Sequence, residues 1–137
     1  RFLLYFYESS LQGKSDREKM PYSLRNWVNG QLVGAGDEIN IEVEHIHPQT
    51  PADESKVDDH KHRLGNLSIL PKGENSSLQN AMRGDKEDAY KEINLEMNKD
   101  IVPALGDWGE EQISKREERI TRSILDRWPL HESELKE

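Results

Sequence analysis

The sequence contains no cysteine among its 137 residues. Disulfide scaffolds, thiol nucleophiles and zinc sites built on cysteine are therefore excluded. Hydrophobic residues are scarce at 33% and charged residues abundant at 34%, which places the chain at the polar edge of the globular range. No apolar run approaches the ~18 residues that a membrane span requires, so we predict that no part of the chain spans a membrane.

The charge of the chain is negative overall but unevenly spread. The net charge is −8, and residues 37–59 alone contribute −7, from eight acidic residues and one basic residue. Residues 60–91 carry six basic and four acidic residues and are net +2. Because phosphates favour basic surfaces, the overall balance speaks at first against a nucleic-acid partner.

The hydrophobic pattern predicts an α+β domain. Ile39, Ile41 and Val43 alternate with polar residues, which is typical of a half-buried strand over residues 39–47. A second short strand is predicted at residues 67–70, and the two form a hairpin-like element that flanking helices must cover. Helices are predicted at residues 2–11, around 24–28, from Asn75 or Ser76, at 85–98 and at 109–128, with Asn29-Gly30 ending the second. In the last helix, Ile113, Ile120, Ile124 and Trp128 form an apolar stripe that we expect in the core.

We predict one domain over residues 1–137, with a core motif at 39–90. Residues 1–38 form an N-terminal helical flank and residues 99–128 a C-terminal one. The chain begins with a short aromatic run and not with methionine, which favours a fragment of a longer protein over a secretory leader.

The densest cluster of functional groups is Glu44-His45-Ile46-His47-Pro48. A single histidine at a strand end is more often an ordinary polar residue than a functional one. A strand places residues 45 and 47 on one face and residues 44 and 46 on the other. Since the chain can turn near the strand end, Glu44 and His45 can converge on one site.

A second cluster follows in a fixed order along the chain. Leu64-Gly65-Asn66-Leu67 is followed by Asn75, Asn80 and then Lys86. With Glu-His-Ile-x-Pro before them, these residues resemble the motifs of the HNH, or His-Me finger, endonucleases. The similarity is greatest to the C-terminal nuclease domain of GmrSD-type restriction and phage-defence proteins. It covers residues 42–90, and the segment ending in Tyr7-Glu8 resembles the helix that precedes the motif in that family.

The resemblance implies a ββα-metal core with helical flanks and a metal-dependent DNA endonuclease activity. By position, His45 matches the general base and Asn66 the asparagine that fixes the loop carrying the histidine. Glu44 and Asn75 match the two protein ligands of the metal. Many HNH proteins have aspartate in place of Glu44, whose longer side chain reaches further.

The chemistry of these residue types is compatible with the implied roles. A neutral imidazole with a pKa near ~6.5 can take a proton from water at neutral pH. Oxygen ligands suit a hard divalent cation, so Mg²⁺ or Mn²⁺ is the expected cofactor. Further predicted roles are phosphate contact for Lys86, Arg83 and His47, and support of the site for His62 and Asn80.

The resemblance also implies the partners and the setting. DNA is the expected substrate, an N-terminal NTP-hydrolysing domain of the same protein the expected partner, and the bacterial cytoplasm the expected compartment. The acidic segment 37–59 would deliver Glu44 and His45. We therefore predict that cation binding precedes phosphate approach and that this domain alone binds DNA weakly.

Two alternatives remain open from the sequence. His45-Ile46-His47 and His60-Lys61-His62 are two His-x-His pairs, which on strands suit a Zn²⁺ or Ni²⁺ metallohydrolase or metal-binding module. A non-catalytic nucleic-acid-binding module is the other, because the helix at 109–128 carries five basic residues. Its acidic residues nearly balance them, which favours a solvated, salt-bridged surface helix.

Overall fold

A computed structural model describes residues 1–13, 24–33, 38–47, 60–72, 78, 86–93 and 95–130. They form an α+β fold, as predicted. The helices are α1 (Phe2–Leu11), α2 (Leu24–Val28), α3 (Glu87–Glu92), α4 (Glu96–Lys99) and α5 (Glu110–Arg127). The strands are β1 (Gln31–Val33), β2 (Glu38–His45) and β3 (Leu67–Pro71), and two 3-10 helices span Leu64–Asn66 and Val102–Asp107.

The sheet is antiparallel and has the strand order β1-β2-β3. Strand β2 pairs with β3 in a register that runs from Ile41 opposite Pro71 to His45 opposite Leu67. Both strands are close to the predicted ones, but the prediction of a two-stranded element missed β1. Three residues are too few to show an alternating pattern, and β1 is recognisable only by its pairing, with Gln31 opposite Asn40.

The core lies between the sheet and the surrounding helices. Ser68, Ile69 and Leu70 are consecutive and all fully buried, so both faces of β3 are covered. Helix α1 packs against α5, and α5 packs against the 3-10 helix that precedes β3. Helix α5, the last helix of the chain, therefore contacts the segment that carries the Leu-Gly-Asn-Leu motif.

The predicted apolar stripe of α5 is only partly in the core. Ile113 and Ile120 are 0% exposed, as predicted. Trp128, predicted as core, is 42% exposed, because it lies just beyond the helix end and packs edge-on against Phe6 with ring centroids 4.6 Å apart. The prediction for Trp128 was therefore wrong.

The helix predicted over residues 85–98 is two helices, α3 and α4. The chain leaves the helical conformation at Ile93 and Leu95, whose backbones are extended. The carboxylate of Glu8 accepts hydrogen bonds from the backbone N–H groups of Glu96 and Met97, both at 2.7 Å. A carboxylate there satisfies the first free N–H groups of α4, so the helix starts anew at this point.

Two further predictions concern one helix and the absence of a membrane span. The helix predicted to open at Asn75 or Ser76 lies outside the described residues. In the part of the chain that the structure describes, no helix is both long enough and apolar enough to span a membrane.

Candidate active site

His45 is the last residue of β2, and its side chain is half-buried. Its ring meets the ring of His62 edge-on, with centroids 5.6 Å apart and an angle of 86° between the planes. Burial lowers the pKa of His45 below 6.5, and electrostatic interactions with His62, Lys86 and Lys61 lower it further. The neutral imidazole, which can accept a proton, is therefore the favoured form at neutral pH.

Asn66 fixes the backbone that follows His45. Its Oδ1 accepts the backbone N–H of His47 at 2.8 Å, and its Nδ2 donates to the carbonyl of His47 at 3.0 Å. The same Nδ2 donates to the carbonyl of Lys61 at 2.8 Å. The Asn66 side chain, 0% exposed, thus joins the chain after His45 to the turn that carries His62. Trp108 completes the arrangement, since its Nε1–H donates to Oδ1 of Asn66 at 3.1 Å.

Helix α5 holds the Leu-Gly-Asn-Leu segment in place. A Cβ atom on Gly65 would lie 2.0 Å from the carbonyl oxygen of Ile113, so only glycine allows the two backbones to approach this closely. The buried guanidinium of Arg116 donates to the carbonyls of Gly65 at 2.9 Å and Leu67 at 2.7 Å. The N–H of Gly65 donates to Glu117 at 3.3 Å. The N–H of Gly65 and the carbonyls of Gly65 and Leu67 are therefore all hydrogen-bonded to side chains of α5.

Glu44 and Lys86 form a buried ion pair next to His45. Their side chains are 2% and 0% exposed, and Nζ of Lys86 is bonded to Oε1 of Glu44. The same ammonium donates to the backbone carbonyl of His45 at 2.6 Å. Burial raises the pKa of Glu44 and lowers that of Lys86, and the attraction between the two charges opposes both shifts. Burial and the charge of Glu44 raise the pKa of Tyr90, which lies on α3 beside the pair.

This geometry corrects the predicted role of Lys86. A fully buried ammonium that is bonded to a carboxylate and a carbonyl cannot contact a phosphate from solution. His47, also predicted to contact phosphate, is only 6% exposed, and its backbone is hydrogen-bonded to Asn66. Arg83 and Asn80 lie outside the described residues.

Of the two predicted metal ligands, the structure describes only Glu44, and its carboxylate is ion-paired. The carboxylate of Glu44 is already neutralised by Lys86, and the second predicted ligand, Asn75, lies outside the described residues. Within the described ranges, no group of three or more histidine, aspartate and glutamate side chains is placed to hold a metal ion.

One histidine of each His-x-His pair approaches the other, because the rings of His45 and His62 meet. His60 has other partners: its Nδ1 lies 3.1 Å from Nη1 of Arg63, and its Nε2 lies 3.3 Å from Glu110. Among the described residues, no third histidine, aspartate or glutamate joins His45 and His62 to hold a zinc or nickel ion.

Sequence reasoning missed Arg116 and Trp108, which support the site from the C-terminal flank. Arg116 was assigned to a solvated, salt-bridged face, yet its side chain is 0% exposed. One signal was available, because Arg116 lies three residues after Ile113 and four before Ile120, on the apolar face of the helix. Nothing local to Trp108 indicates that its indole N–H meets an asparagine 42 residues away.

The fold and the site together define an α+β domain in which a half-buried histidine ends a strand and a buried asparagine bonds the backbone two residues further on. The family model of the C-terminal domain of GmrSD restriction endonucleases matches residues 1–123. The chain belongs to this family, which makes it a nuclease domain of a restriction system and confirms the resemblance found in the motifs. Neither the curated proteins nor the solved structures contain a match to the chain.

Proposed function

We propose that this chain hydrolyses DNA phosphodiesters as an HNH-type endonuclease, with His45 as the general base. Strands β2 and β3 would supply the two strands of the ββα unit, and the segment after β3, with Asn75, its helix. The observation that carries the proposal is the half-buried imidazole of His45 at the end of β2, whose pKa is lowered by burial. Its surroundings keep it able to accept a proton while leaving it reachable from solvent.

The reaction would begin with proton transfer from a water molecule to the imidazole of His45. The oxygen of that water forms a bond to phosphorus, the bond from phosphorus to the leaving oxygen breaks, and the leaving oxygen gains a proton from solvent. Asn66 supports this step by fixing the backbone next to the base through two hydrogen bonds to His47. A base fixed in this way needs little reorganisation to reach the attacking water.

Mg²⁺ or Mn²⁺ dependence is a further proposal, and it rests on the family resemblance. Such an ion would supply charge neutralisation at the phosphate when bound. The proposal that Glu44 and Asn75 are its ligands is opposed by the ion pair between Glu44 and Lys86. Cleavage assays should therefore include Mg²⁺, Mn²⁺ and a chelator as separate conditions.

His45→Ala tests the proposed base. We expect the wild-type chain to nick or linearise a supercoiled plasmid and the variant to lose activity by ~10²-fold or more, because general-base catalysis contributes factors of this size. Agarose gels over a time course provide the measurement, and circular dichroism checks that the variant is folded.

His60→Ala is the matched control. It removes a histidine of the same region that is bonded to Arg63 and paired with Glu110, so cleavage should continue. Equal cutting by wild type and His45→Ala would exclude His45 as the base. A wild-type chain that shifts the plasmid on a native gel but never cuts it, in any of the three conditions, would favour a non-catalytic binding module.

A further inference from the structure

The ammonium of Lys86 has two partners, and both belong to the end of β2. It is bonded to the carboxylate of Glu44, and it donates to the carbonyl of His45 at 2.6 Å. Lys86 directly precedes α3, so these bonds join that helix to β2 across 41 residues of sequence. Ala89 and Tyr90 bury α3 against the core, which gives the ammonium a rigid support.

We propose that the Glu44–Lys86 ion pair positions His45, and that Glu44 holds the ammonium of Lys86 instead of a metal ion. This inference rests on the proposed role of His45 as the base. It replaces both predicted roles of the pair, since neither side chain is accessible to a phosphate or carries a free charge.

The pair acts together with Asn66 on either side of one short segment. Lys86 holds the carbonyl of His45, and Asn66 holds the N–H and the carbonyl of His47. The N–H of Ile46 between them donates to the carbonyl of Asn66 at 2.9 Å. With the backbone held at three successive residues, the Cα–Cβ bond of His45, from which the imidazole extends, keeps one direction relative to the sheet. Fixing a catalytic group in this way is what its supporting side chains contribute to rate.

The energetics explain why the two charges must occur together. Removing one partner of a buried pair leaves an uncompensated charge and is strongly destabilising, whereas replacing both by neutral groups of similar volume is often tolerated. The informative variant is therefore the double exchange Glu44→Gln with Lys86→Met. It keeps the volume of the pair and removes the bond to the carbonyl of His45.

The matched control is a double exchange of the same chemistry on the same helix. Glu87→Gln with Lys91→Met removes an exposed ion pair four residues apart, whose side chains are 45% and 55% exposed. Exposed pairs of this kind contribute little to stability, so this variant should equal the wild type in every measurement.

We expect the Glu44/Lys86 double variant to fold and to lose ~10-fold or more in kcat, with KM for plasmid unchanged, because misplacement of a base affects the chemical step. The ring signals of His45 in a proton–nitrogen correlation spectrum, assigned by their loss in His45→Ala, should move or broaden. In the control they should coincide with those of the wild type. His45 signals identical to the wild type in the double variant would overturn the inference.

The Glu44/Lys86 double variant also tests the metal part, and the carboxyl carbon-13 signal of Glu44 during a Mg²⁺ titration of the wild type, which should not move, remains available if the double variant does not fold. Binding of Mn²⁺ to the double variant, followed by the electron paramagnetic resonance of the free ion, should be unchanged. A loss of about tenfold or more in Mn²⁺ affinity would assign Glu44 as a ligand and overturn the inference.

The proposed function and this inference are refuted by different measurements. Absence of cleavage by the wild type refutes the nuclease activity, whereas the spectra and the Mn²⁺ titration report on the ion pair whether or not the chain cuts DNA.

Discussion

At the scale of single residues, we propose that one motif residue, His45, carries the chemistry and that others place it. Burial lowers the pKa of the half-buried His45 imidazole, which favours its neutral form. Asn66 fixes the backbone after His45, and Gly65 makes room for helix α5. The order of these residues along the chain was readable from the sequence, but the reason for the glycine was not. Its need for space comes from Ile113, which lies 48 positions later in the chain.

Gly65→Ala should therefore be destabilising. The added Cβ would lie 2.0 Å from the carbonyl oxygen of Ile113, so the helix or the motif must shift. We expect a loss of about 3 kcal/mol in the free energy of unfolding, at the upper end of overpacking effects. Urea denaturation followed by circular dichroism measures it. Gly106→Ala is the control, since nothing lies within 4 Å of its added Cβ. Equal stability of Gly65→Ala and Gly106→Ala would refute this account.

At the scale of elements, charged side chains determine where helices begin and what they hold. Glu8 of α1 is buried, and its carboxylate meets the start of α4, which is why one predicted helix is two. Arg116 of α5 donates to two carbonyls of the Leu-Gly-Asn-Leu segment. A helix expected to be a solvated flank is thus part of the support of the site.

Glu8→Gln tests the role of Glu8 at the start of α4. The side-chain amide of the variant has one oxygen, whereas the carboxylate of Glu8 accepts from two backbone N–H groups, those of Glu96 and Met97. One of these buried N–H groups would then face the NH₂ of the amide and lose its acceptor. We expect a loss of about 2 kcal/mol, within the range for hydrogen bonds to charged groups. Thermal and urea unfolding give the value. Glu96→Gln, the same exchange at an exposed carboxylate, should leave the melting midpoint near that of the wild type.

The contact between Arg63 and Glu117 should make stability depend on pH in a defined window. Arg63 holds the pKa of Glu117 below its usual 4.5. A carboxylate with a lowered folded-state pKa contributes stability that is complete above its unfolded value and is lost as the pH falls through the folded one. The difference in unfolding free energy between wild type and Glu117→Gln should be constant near pH 7 and shrink below about pH 4.5.

Urea denaturation of both proteins from pH 7 to pH 3 measures this difference. Glu118→Gln, which removes the neighbouring exposed carboxylate, controls for net charge. A difference that grows as the pH falls would contradict the assignment.

At the scale of the whole molecule, the charge distribution bears on how the domain meets DNA. Of the net charge of −8, −7 lies in residues 37–59, which include the strand that ends in His45. Two basic side chains near the site do not offer a free charge to DNA, since Lys86 is buried and Arg63 is paired with Glu117. We propose that the N-terminal part implied by the family resemblance supplies much of the affinity for DNA.

We therefore expect this chain alone to bind a labelled DNA duplex no more tightly than ~10⁻⁶ M at physiological salt, the tight end of non-specific binding. Fluorescence anisotropy over a salt series measures the affinity and its salt dependence. Nanomolar binding by the isolated chain would contradict this expectation, and addition of the N-terminal part should tighten binding.

The sequence by itself determined the class of fold, the two strands that meet at His45, and the family, because short-range periodicity and motif order are local properties of a chain. It also identified Asn66 as the residue expected to fix the loop. Only the tertiary structure decided what surrounds these residues. In the structure, Lys86 is the ion-pair partner of Glu44. Arg116 and Trp108 hydrogen-bond to the Leu-Gly-Asn-Leu motif, and Trp128 lies at the surface. The physical reason is that burial and pairing depend on which distant segments meet, and a buried charge takes its role from its partner and not from its neighbours in sequence.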